Sequence, residues 1–148
     1  MVQFAAIGGA KRGLDFRGAA RLNATLLIFL GAGIGGALRH GVNVAAARLA
    51  GTGFPWGTLS VNVVGGVAMG VLAGWLALKA GEGWTHSVRL LLATGILGGF
   101  TTFSAFSLDA VLLWERGEAT AAAAYVLASV VLSIAGLLAG LFLVRVLT

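Results

Sequence analysis

The sequence has no cysteine, one proline and only two histidines among its 148 residues. The missing cysteines exclude disulfide frameworks, thiolate metal sites, cysteine nucleophiles and thiol redox switching together. His40 and His86 are far apart, which leaves a histidine-based metal site without support. A single proline excludes extended proline-rich linkers. Charge is scarce too, at 10% of residues, far less than a soluble domain of this length needs to cover its surface. What fills the space is apolar bulk: 59% of the chain is hydrophobic and its mean hydropathy is +0.99.

The formal charge of +5 is not a nucleic-acid signal. Lys11, Arg12, Arg17 and Arg21 precede any long apolar run, and the other basic residues are scattered near segment ends. Membrane proteins place Lys and Arg in this way, at the water boundary and near lipid headgroups. Residues 1–22 form a basic N-terminal tail, readable as an amphipathic surface helix or as a disordered stretch. They do not make a signal peptide, because the apolar run that follows outlasts a typical h-region.

Residues 23–148 carry four apolar spans, at 24–47, 57–78, 88–113 and 119–144, each near the roughly 20 residues that cross a bilayer. The connections are short, and Trp56, Trp84 and Trp114 fall in them, where amphipathic rings settle at headgroup level. Four spans put both termini on one side, with Lys79, Arg89 and Arg145; Arg48 and Arg116 lie opposite and Arg39 lies within a span. That near-balance fits insertion in both orientations, whereas the basic tail argues for cytoplasmic termini.

Within the spans, polar and small residues follow helical rows. Gly66, Gly70 and Gly74 recur every fourth position, and Thr58 and Asn62 extend the row; Gly31, Gly35, Arg39 and Asn43 form another. Residues four apart share a face, and small ones let helices approach closely. Thr58 and Asn62 therefore point inward rather than to lipid. Arg39 is costly at depth unless it faces protein or water, as a snorkelling residue, a fold anchor or a positive vestibule. The segment 95–107 places three glycines before Thr101 and Thr102, which predicts an interrupted third helix. Such breaks persist in membranes where protein or water satisfies the freed backbone, and freed carbonyls suit a cation. Phe103 and Phe106 follow on one face, as core aromatics or as ring edges turned to an anion. Tyr125, Ser129 and Ser133 align on the fourth span, either bonded back to their own carbonyls or forming a ladder of donors. Asp109 is the one carboxylate within a span, short of the relay groups of proton-coupled carriers. A lining of amide, hydroxyl and aromatic edge suits a small anion, and no catalytic set accompanies it.

These motifs resemble the Fluc (CrcB) fluoride channels, from about residue 27 to the end. Residues 35–40, Gly-Gly-Ala-Leu-Arg-His, are similar to the family's first-helix motif, with His40 in place of the usual tyrosine. Residues 57–65, Gly-Thr-Leu-Ser-Val-Asn-Val-Val-Gly, match the second-helix signature, and 98–106, Gly-Gly-Phe-Thr-Thr-Phe-Ser-Ala-Phe, the third, with Ala105 where threonine is common. The resemblance implies an all-α integral membrane protein with its third helix broken mid-membrane, forming an antiparallel dual-topology homodimer. It implies passive, selective fluoride export through two pores in a bacterial cell membrane, relieving fluoride toxicity. By position, Asn62, Phe103, Phe106, Thr58, Ser104, Tyr125, Ser129 and Ser133 would line the pore and Arg39 the vestibule. Gly98 and Thr101 would lend backbone carbonyls to a structural Na+ at the dimer interface. The expected partners are fluoride, sodium, a second copy and membrane lipids, with no nucleic acid. A small multidrug transporter would need a buried carboxylate in the first span, and none occurs there. A scaffold subunit would account for the glycine rows alone.

Overall fold

The computed structural model describes the backbone of residues 8–148 and the side chains of residues 23–148. The first part of the basic tail, residues 1–7, and the side chains of the rest of it lie outside the described residues. Among the described residues all regular structure is helical: α1 (Gly8–Ala50), α2 (Trp56–Leu78), α3 (Thr85–Val88), a π-helical segment (Arg89–Leu97), α4 (Gly98–Phe100), α5 (Phe103–Glu115) and α6 (Ala119–Leu147). Four stretches are long and apolar enough to cross a membrane: Asn23–Ala50, Trp56–Leu78, Thr85–Glu115 and Ala119–Leu147. Their outer faces carry large apolar side chains such as Phe29, Leu127, Phe142 and Leu147, all exposed. In water that surface would be a liability; in a bilayer it is the solvent-facing surface.

Without a hydrophobic drive between helices in lipid, close packing has to hold the bundle, and here glycine supplies it. On α2 and α6 the interlock is reciprocal: Gly66 and Gly70 press on the Ser133 and Leu137 carbonyls, while Gly140 presses on the Val67 carbonyl. The first-span row turns the other way. Gly31 lies against Leu91 and Gly95, and Gly35 against Ile96 and Phe100, all backbone atoms. The π segment winds wider there, with the Gly98 N–H reaching the Ala93 carbonyl five residues back.

A methyl group on Gly70 would overlap the Leu137 carbonyl and sit 3.0 Å from the Leu141 nitrogen, neither of which can rotate away. Gly70→Ala is therefore expected to lower stability by about 1–3 kcal/mol, the usual cost of overpacking. Gly33→Ala, with open space beside its Cα, serves as the control. Thermal unfolding in detergent reads the difference, and equal midpoints would mean that the α2–α6 seam yields.

The third span differs from its expectation in detail. The glycines of 95–99 are helical, and the interruption is confined to Thr101 and Thr102. The physical reason is that Gly95 and Gly99 serve the contact with α1, at Gly31 and Ala32. Glycine is required there for absent bulk rather than for unusual dihedrals.

Candidate functional site

Two extended residues separate α4 from α5: Thr101 at φ −77, ψ 158 and Thr102 at φ −154, ψ 118. Their backbone groups need partners from elsewhere, and Asn62 of α2 provides them. Its Nδ2 donates to the Thr102 carbonyl at 3.1 Å and its Oδ1 accepts from the Thr102 N–H at 2.9 Å. The carboxamide thus pairs with Thr102 as a neighbouring strand would. Thr102 also caps α5, its Oγ1 accepting from the Ala105 N–H at 3.1 Å, with Ser104 Oγ 3.2 Å away. Such capping is what threonine does at a helix start.

These substitutions release two carbonyls. In a continuous helix the Thr102 N–H would go to Gly98 and the Ala105 N–H to Thr101. Both donors are instead taken by side chains, which leaves the Gly98 and Thr101 oxygens without their helical partners. Thr101 itself folds back, its Oγ1 donating to the Leu97 carbonyl at 2.8 Å.

Beside the break, α2, α5 and α6 border a groove of about 390 Å³ lined by Asn62, Thr102, Phe103, Phe106, Ser129 and Ser133, among apolar neighbours. Phe103 and Phe106 stand with ring centroids 5.4 Å apart; Phe103 is 78% exposed while Phe106 is buried in the subunit. The buried Oγ atoms of Ser129 and Ser133 make no hydrogen bond of ordinary geometry among the described residues, the Ser129 hydroxyl lying beside the Tyr125 phenol. They are therefore not bonded back to their own helix, one of the two arrangements the spacing left open. A buried hydroxyl without a partner is costly, and both of these lie along the groove.

The remaining expected residues are placed differently. Tyr125 is wholly buried, its ring 5.4 Å from Phe106 and its hydroxyl donating to Asp109 Oδ2 at 3.3 Å. Thr58, also buried, flanks the same phenol from one turn before Asn62. Neither lines the groove; Thr58 lines a second cavity with Asp109. Ser104 is exposed at the start of α5 beside Thr102. Arg39, half-buried on α1, borders neither cavity. One residue of this arrangement has no role in the sequence reading: Thr102, which both receives Asn62 and starts α5. Its signal was a threonine three residues before an N–H at a helix start; the tie to Asn62, 40 positions away, leaves none.

The model of the family described as CrcB-like protein, Camphor Resistance (CrcB), matches residues 26–141. A curated relative from Methylobacterium nodulans, named fluoride-specific ion channel FluC, is 59% identical over 123 residues, 82% of this chain and 95% of its own length. A relative of the same name from Rhodopseudomonas palustris is 56% identical over 123 residues, covering 83% of this chain and 98% of its own. Hyphomonas neptunium has another, 52% identical over 124 residues. Those names describe ion channels and not enzymes. With four helices able to cross a bilayer and a family match over most of its length, the chain is a multi-pass membrane protein and belongs to the CrcB-like family.

Proposed function

We propose that the protein is a fluoride-selective channel that lets fluoride leave the cell passively and so relieves its toxicity, working in a bacterial cell membrane. The observation that carries the reading is the groove itself: two buried serine hydroxyls without partners, in line with a phenylalanine pair and an asparagine amide. The names of the relatives supply the anion.

Fluoride is small and holds its water tightly, so a pathway must replace the lost donors one by one. Ser129 and Ser133 each offer an O–H, and Asn62 Nδ2 has a second hydrogen beyond the one given to Thr102. The Phe103 and Phe106 rings present positive edges, which attract an anion without the trap of a full opposing charge.

The groove is open along one side of a single subunit, and Phe103 protrudes from it. An antiparallel homodimer closes it: a two-fold in the membrane plane brings the two third-span breaks together at mid-membrane and gives two equivalent pores. Fluoride, membrane lipids and the second copy are then the partners. The Gly98 and Thr101 carbonyls, freed as described, fit a hard monovalent cation, and a structural Na+ at the interface would offset the repulsion of facing carbonyl dipoles. Arg39 then serves as the basic group of the vestibule, and Thr58, Ser104 and Tyr125 as hydroxyls near the track.

The test is release from liposomes loaded with potassium fluoride, followed by electrode after a potassium ionophore is added, with chloride-loaded vesicles alongside. Ionophore-dependent release of fluoride without chloride is expected. A folded dimer that releases neither would return the chain to a scaffold role. Deleting residues 2–22 is expected to leave that release unchanged, since the family match starts only at residue 26. A truncated but assembled dimer that no longer conducts would make the tail part of the machinery.

A further inference from the structure

Tyr125 does not only support the groove; it also packs toward a second cavity of about 420 Å³, bounded by the end of α1, the loop 51–55, the start of α2 and α5. On α2, Thr58 lines this cavity and Asn62, one turn on, lines the groove. On α5, Asp109 lines the cavity and Phe106, one turn before, lines the groove. Tyr125 touches both sets, bonded to Asp109 and packed on Phe106. Tyr125 thus links one lining residue of each space, Asp109 of the cavity and Phe106 of the groove.

The loop over this second cavity is held in a specific way. Phe54 points inward, edge-on to Tyr125 with ring centroids 5.6 Å apart, and also packs on Trp56 at 4.6 Å. Gly51 turns the chain into the loop at φ +78, a region that favours glycine. The loop is tied to the α5–α6 turn by Arg116, whose Nη2 donates to the Gly53 carbonyl at 2.8 Å while its Nε pairs with Glu118 at 3.3 Å. Both side chains of that ion pair are about half exposed, 45% and 47%, so water competes for the tie. Beneath the loop the cavity is polar: Asn43, Thr58, Asp109 and Arg116 all reach it.

We infer that this cavity is a vestibule on the water side of Tyr125 and that the loop 51–55 is its lid, with Phe54 as the plug and Arg116 as the latch. Latched, the guanidinium is committed to Gly53 and Glu118 and Phe54 covers the phenol. Released, Phe54 withdraws, and the Arg116 charge, already at the cavity wall, is freed from Gly53 and Glu118 to offset Asp109 for an approaching anion. Only the consequence for fluoride movement rests on the channel reading; water access to the cavity does not.

The chain has no native cysteine, so a single thiol reports cleanly. Ala105 borders the cavity and Leu108 lies on an exposed apolar face of α5. In the full-length protein in liposomes, Ala105→Cys is treated with a charged, membrane-impermeant thiosulfonate and labelling is followed by mass spectrometry, with Leu108→Cys as the lipid-facing control. Adding Arg116→Gln is expected to speed labelling about two- to five-fold, the worth of a half-exposed polar tie, and Phe54→Ala, which removes the ring over the phenol, at least as much, with the control unchanged. Equal rates with and without the lid variants would overturn the lid. Faster labelling with fluoride release unaltered, in a parent that conducts, would overturn its place on the pathway. A parent that releases no fluoride would sink the channel reading, while the labelling rates would still decide whether the loop covers a water-filled cavity.

Discussion

Asn62→Ala is expected to cut fluoride release about ten-fold or more while leaving an assembled dimer. The substitution removes both bonds to Thr102, the donor at 3.1 Å and the acceptor at 2.9 Å. Each backbone group left unpaired costs about 1–3 kcal/mol where water is excluded. The Thr102 N–H then has an obvious alternative, the Gly98 carbonyl, and re-forming that bond would carry the helix across the break. Phe103 and Phe106 begin α5 directly after Thr102, so the ring pair moves with it. The amide also leaves the groove. Asn62→Asp separates the two roles, because its carboxylate still accepts from the Thr102 N–H but cannot donate to an anion. Release assays with size-exclusion chromatography read the result; parental flux in Asn62→Ala would remove the residue from both the pathway and the support of the break.

The spans and several residues that border the groove were legible because they depend on local pattern. Apolar length fixes the four crossings, and the four-residue rows of glycine place the seams. What the pattern did not distinguish was why each glycine is there. Three glycines before two threonines read as one interruption, yet Gly95 and Gly99 stay helical against α1 and only the threonines are extended. Steric need and conformational need look alike in a sequence. The hydroxyl row on α6 was similarly legible as a line of three but not in its division: Ser129 and Ser133 lie in the groove without partners, and Tyr125 turns to Asp109. Pairings across 16 or 40 positions, Tyr125 with Asp109 and Asn62 with Thr102, come from tertiary packing.

That division has a physical sense. A phenol beside an ion track competes for the anion if its O–H is free, and one held by a carboxylate does not. On the proposed reading, Ser129 and Ser133, which make no hydrogen bond of ordinary geometry among the described residues, are the hydroxyls that would rotate toward a passing ion. The site thus joins fixed groups, Asn62 on Thr102 and Tyr125 on Asp109, to two free rotors. On the proposed channel reading, the fixed groups would keep the track's shape and the rotors would replace a moving hydration shell.

Phe103 and Phe106 offer the sharpest division between packing and conduction, because the same ring type occupies opposite environments. Phe106 is only 9% exposed within the core formed with Leu113, Ala122 and Tyr125. Phe106→Ala is therefore expected to destabilise the subunit by about 3–5 kcal/mol, as for other buried aromatics, and to lower flux as well. Phe103 is exposed in the subunit, so Phe103→Ala is expected to change subunit stability by no more than about 0.5 kcal/mol. If its ring edge is worth as much to the ion as to a second aromatic ring, about 0.5–1.5 kcal/mol, its loss slows release up to about ten-fold. Phe103→Leu keeps the apolar bulk and removes the edge. Slow release in both Phe103 variants, with unfolding midpoints near the parent's, assigns the ring to the ion. Slow release in Phe103→Ala alone assigns it to packing against the second subunit. Normal release in both, with Phe106→Ala merely unstable, would leave the pair as core and partner contact, and the hydroxyls and Asn62 as the whole of the pathway's chemistry.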